Sequence, residues 1–64
     1  MNPERDTDWK LSTKGNWWRR MNGKVLVVGQ GREGGYWVMV DGHFLEEHFP
    51  YLEPAQSAAE RRGS

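Results

Sequence analysis

Gly29-Gln-Gly31-Arg-Glu-Gly34 has the G-x-G-x-x-G spacing with which a strand-to-helix turn cradles a pyrophosphate, and it directly follows the apolar run Lys24-Val-Leu-Val-Val28. That chemistry needs a helix after the third glycine and a parallel second strand. Here Gly35-Tyr-Trp-Val-Met-Val40 follows, which reads as another strand. The glycines are therefore expected to be positive-φ residues of a hairpin loop, and no nucleotide cofactor is expected. His43-Phe-Leu-Glu-Glu-His48 offers two imidazoles and two carboxylates within one short stretch. An odd separation points the two His to opposite faces of a strand, and the spacing fits no zinc-protease pattern. Charges on an exposed edge strand explain these residues without a metal, because they discourage edge-to-edge pairing. Ser12, Thr13 and Ser57 have no positioned base, so no nucleophile is expected. The reading is non-enzymatic: no catalytic residue, no metal and no cofactor.

Trp17-Trp18-Arg19-Arg20 is the most informative stretch. Aromatic rings beside guanidinium groups suit both protein hot spots and nucleic-acid surfaces. Alternation along a strand places one Trp and one Arg on each face. Core packing, with an Arg laid along a Trp ring as a cation–π pair, accounts for one of these pairs. The other is left for a partner. The residues assigned to partner binding are Trp17, Trp18, Arg19, Arg20, Tyr36 and Trp37. For a nucleic acid, the alternative partner, they are Lys14, Arg19, Arg20, Lys24 and Arg32.

The elements that must position these side chains are short strands. Trp9-Lys-Leu11 alternates, serving as a brief first strand or as an anchor for Trp9 on the core. Ser12–Asn16 is turn chemistry. Asn22-Gly23 and Asp41-Gly42 are two-residue hairpin turns, since both turn positions need positive φ. Strands are thus expected over 17–21, 24–28, 36–40 and 43–48, with Arg20 opposite Val25, Arg19 opposite Leu26 and Trp18 opposite Val27. The same logic sets Val40 against His43, Met39 against Phe44, Val38 against Leu45 and Trp37 against Glu46. One face of the first hairpin then holds Trp18, Arg20, Val25 and Val27; the other holds Trp17, Arg19, Met21, Lys24, Leu26 and Val28. Pro54 suits the first turn of a helix expected over 54–62, with Ala55, Ala58 and Ala59 as a narrow apolar stripe and Gly63 as a stop. No internal repeat is evident.

The fold class is α+β: a small antiparallel meander of three to four strands with a short C-terminal helix. Residues 9–64 form a single small domain and residues 1–8 a flexible tail. Sixty-four residues without cysteine leave a small core and no disulfide framework. Four Trp are many for such a chain, and Trp recurs at hot spots. Residues 1–10 carry no apolar signal-peptide core, and no run reaches membrane-spanning length, so a cytoplasmic protein without a membrane partner is expected. The zero net charge conceals a segregation. Residues 9–32 are basic without a single acid, whereas residues 33–60 are acidic without Lys or Arg. Such halves are expected to neutralise each other across neighbouring strands; they can also be self-complementary or present two different faces to partners.

Strands followed by Glu53-Pro-Ala-Gln-Ser-Ala-Ala59 resemble the sheet-type DNA binders, namely AP2 domains and the arm-binding domains of tyrosine recombinases. That resemblance covers residues 16–60 and implies DNA contact through the sheet, yet Tyr36–Val40 lacks the basic residues for direct base readout. A short, Trp-rich chain without a catalytic set is also similar to small phage-encoded inhibitor proteins that occlude a host machine. The sequence thus points to protein–protein contact, with an unlike protein or as a homodimer, through an aromatic and Arg-bearing sheet face. The motive is a sheet apolar on both sides with one alanine helix to cover it. Nucleic-acid binding by the Trp17–Arg32 hairpin is the alternative.

Overall fold

The computed structural model describes residues 9–63; the tail expected over residues 1–8 lies outside them. Five antiparallel strands follow one another in sheet order as in sequence: β1 Lys10–Leu11, β2 Trp17–Met21, β3 Lys24–Gln30, β4 Tyr36–Val40 and β5 His43–Phe44. A single helix, α1, spans Leu52–Gly63 and lies on one face of the sheet. This is a small α+β fold built on a meander.

Turn chemistry sets the registers. Asn22 and Gly23 have φ of 53° and 77°, and Asp41 and Gly42 have 53° and 84°, the left-handed values a two-residue hairpin requires. Arg20 consequently faces Val25, Arg19 faces Leu26 and Trp18 faces Val27. At the opposite end of the sheet the turns have three residues. Gly15 N–H donates to Ser12 O at 3.0 Å and Gly34 N–H to Gly31 O at 3.2 Å, and each of these glycines has positive φ. The two turns are built alike, a tight turn closed by a left-handed glycine.

This likeness corrects one sequence expectation, because a weak repeat does run through the chain. Nineteen residues separate Gly15 from Gly34, Trp18 from Trp37, Gly23 from Gly42 and Leu26 from Leu45. Each pair occupies matching positions in turn–strand–turn–strand units that begin at Ser12 and Gly31. Identity is confined to turn glycines and a few side chains, so pattern alone does not reveal it.

Three expected boundaries also change. β3 extends two residues beyond Val28, because Gly29 and Gln30 pair with Trp37 and Tyr36. The strand expected over 43–48 is only His43–Phe44. Leu45 N–H still donates to Val38 O at 2.9 Å, but Tyr36 then pairs with Phe49. Continuing the pairing would have set Glu47 beside Tyr36 on the helix-covered face. Extruding 46–48 leaves those charges in water and brings apolar Phe49 onto the core instead. Finally, the helix starts two residues before Pro54. A residue without an N–H fits anywhere in the first turn, and the earlier start packs Leu52 against the core. Gly63 belongs to the helix and is buried against Leu26, where a Cβ would come within 2.9 Å of Leu26 Cδ2.

The core lies between α1 and one face. Leu26, Val28 and Val38 are fully buried there with Ala55 and Ala59. Small helix side chains let the backbone approach the sheet, so the larger strand residues supply most of the buried area.

Candidate functional site

Strand alternation divides the candidate residues between two faces. Trp17, Arg19, Tyr36, Leu26, Val28, Val38 and Val40 share the helix-covered face. Trp18, Arg20, Val25, Val27, Trp37, Met39 and Phe44 share the other, which no element covers among the described residues. On that open face one row crosses all five strands: Lys10, Trp18, Val27, Met39 and Phe44. Arg20 and Val25 form a second row beside it, with Trp37 on the other side.

Local contacts hold the aromatic rings in place. The Trp37 indole lies across Gly29 on the adjacent strand, occupying the space where a Cβ would stand. Gly29 is therefore not a positive-φ loop residue as its motif suggests; a bare strand position is what the ring requires. Gly34 is the member of that motif with positive φ. Trp37 also meets Phe44 edge to face, with centroids 5.4 Å apart at 68°, a favourable arrangement for aromatic quadrupoles. Lys10 Nζ sits 5.3 Å from the centroid of the Trp18 ring. Phe44 is 64% exposed and Val25 39%.

The helix-covered face uses its polar residues internally. Arg19 is buried at 6% exposure, and its Nη1 donates to Glu60 Oε2 at 2.7 Å. The Trp9 indole N–H donates to the same oxygen at 2.9 Å, while the Arg19 guanidinium lies 6.0 Å from the Trp9 ring. Arg19 Nε has no hydrogen-bond partner. Asn22 Nδ2 donates to Gly63 O at 3.2 Å, tying the helix end to the first two-residue turn. Arg19 thus anchors the helix, and the cation–π pairing expected of a neighbouring Trp is made with Trp9.

The basic residues do not converge. Lys14 and Arg32 sit in the two three-residue turns, Arg20 and Lys24 lie near Asn22-Gly23 at the opposite end, and Arg19 is beneath the helix. Gly31, Arg32, Glu33, Gly35 and His48 line an open depression of about 390 Å³. Its loop spends Gly31 N–H on Gly35 O and Gly34 N–H on Gly31 O, leaving few donors for a phosphate. Among the described residues no group of three or more His, Asp or Glu is placed to hold a metal. No helix among them is long and apolar enough to cross a membrane.

Sequence reasoning named Trp18, Arg20 and Trp37 but not Lys10, Val25, Val27, Met39 or Phe44 as contact residues. Alternation within each hairpin already grouped Trp18 with Val25 and Val27, and Trp37 with Met39 and Phe44. The missing step was the β3–β4 register, which joins the two groups. No protein-family model, curated protein or solved structure matches the chain.

Proposed function

We propose that the chain is a non-enzymatic binding protein whose open sheet face makes the contact, with protein as its partner. One observation carries this reading. Trp18, Val25, Val27, Trp37, Met39 and Phe44 form a continuous apolar face on a sheet whose one helix among the described residues lies on the opposite side. Contiguous apolar surface edged by charge is what protein interfaces present. Nucleic-acid binding by the basic hairpin draws less support, since Arg19 is held by Glu60 and the remaining basic groups lie at opposite ends of the sheet.

The test is capture by immobilised chain from a cell extract, comparing wild type with a Trp18→Ala/Phe44→Ala variant whose circular dichroism is unchanged. Truncating a hot-spot aromatic costs about 2 kcal/mol or more, roughly a thirtyfold loss of affinity. Proteins retained by wild type should disappear with the variant. Equal retention by both would reject the open face as the contact.

A further inference from the structure

We infer that the occupant of the open face is a second copy of this chain, stacked face to face about a two-fold axis parallel to the strands. This rests on the open face being the contact surface, and it names the partner.

Because strand order in the sheet follows chain order, the basic and acidic halves of the sequence become two sides of one sheet. Lys10 and Arg20 lie on the β1–β2 side, both exposed. Asp41, Glu46 and Glu47 lie on the β4–β5 side, also exposed. A two-fold axis running along β3 between two stacked sheets sets β3 on β3, β2 on β4 and β1 on β5. Every basic flank then meets an acidic flank, twice over by symmetry. The alternative two-fold, perpendicular to the strands, would set base on base and acid on acid.

The registers make the match more specific. Trp18, Val27 and Met39 share a row, so Trp18 comes over the partner's Met39 while the Val27 side chains meet on the axis. Arg20 is paired with Val25, whose carbonyl accepts from Asp41 N–H at 2.9 Å, so Arg20 comes over the partner's Asp41. Lys10 comes over the partner's Phe44, next to Glu46. Large side chains thus oppose slim or flexible ones, within the rotation of about 30° that twisted sheets adopt when they stack. The face measures about 20 Å across its strands and about 16 Å along them, from strand spacing and rise. That is smaller than the roughly 800 Å² per partner of a standard interface, so the dimer should dissociate in the micromolar range.

The experiment is sedimentation equilibrium on the full chain from about 1 μM to about 1 mM, alone and in mixtures. Wild type should pass from monomer to dimer across that range. Lys10→Glu, and separately Glu46→Lys, should each weaken self-association about tenfold or more by setting like charges opposite, twice over by symmetry. Mixed in equal amounts, the two variants should form a heterodimer within about threefold of the wild-type affinity, because each reversed flank then meets its complement. Wild type that stays monomeric at about 1 mM overturns the inference without needing any variant to fold. So does a mixture no tighter than its components. If monomeric wild type still retains proteins that the Trp18→Ala/Phe44→Ala variant loses, the contact face stands and its occupant is an unlike protein. If both results fail, the contact face falls as well.

Discussion

Val25 and Leu26 are neighbours on β3, yet Leu26 is fully buried under α1 while Val25 faces away and is 39% exposed. The same contrast holds across the whole sheet. On the covered side polar groups bond within the chain: Arg19 and Trp9 both donate to Glu60 and Asn22 donates to Gly63, while Arg19 Nε is left without a partner. On the open side the apolar residues stack on one another and on a bare glycine, and Lys10, which lies over the Trp18 ring, stays exposed. Both faces are apolar in composition. The covered face is organised to hold a helix, whereas the open face is organised to stay rigid without one. Composition therefore does not tell the covered face from the open one; what distinguishes them is that the covered face bonds to the helix within the chain.

The sharpest way to break this contrast is to truncate the two neighbours. Leu26→Ala should cost about 3 to 4 kcal/mol, transfer plus cavity, and a chain of this size has only about 3 to 10 kcal/mol in total. Urea titration should find that variant's midpoint far below wild type, and at the low end of that range the variant unfolded without denaturant. Val25→Thr, compared with wild type at the same protein concentration, should stay within about 0.5 kcal/mol of it. Similar losses for the two would mean that the faces are energetically alike.

The ion pair sharpens the comparison from its polar side. Glu60→Ala leaves Arg19 buried without its counter-charge and should cost about 2 to 3 kcal/mol. That is at or below the low end for fully buried pairs, because the Glu60 side chain is 38% exposed. Arg19→Met removes the charge together with the need to match it, and should cost less than Glu60→Ala in the same titration. The reverse order would show that the guanidinium stabilises the fold by more than its pairing.

Among the destabilising changes the smallest effect is expected on the open face. Gly29→Ala places a methyl where the Trp37 ring lies. Overpacking of this kind costs about 1 to 2 kcal/mol, with a changed near-UV circular dichroism spectrum as the ring is displaced. An unchanged aromatic spectrum would mean that Trp37 is not held by the bare strand position.

Much of this was legible in the sequence. Asn22-Gly23 and Asp41-Gly42 permit only left-handed two-residue turns at low strain, so the β2–β3 and β4–β5 pairings and the grouping of Trp18 with Val25 and Val27 followed from local chemistry. Pro54 and the alanine stripe announced a helix, though not its start at Leu52. The split of charge between the halves of the chain was visible as well. What only the tertiary structure decided was which apolar face the helix takes, and hence that Arg19 becomes an internal anchor while Arg20, its neighbour, stays at the surface. It also decided that Gly29 makes room for Trp37 and that 46–48 are extruded so that Phe49 reaches the core. The physical reason is range. Turn residues act on their own φ and ψ angles, whereas the choice of covered face depends on the fit of Ala55, Ala59 and Glu60 against residues some fifteen to forty positions away.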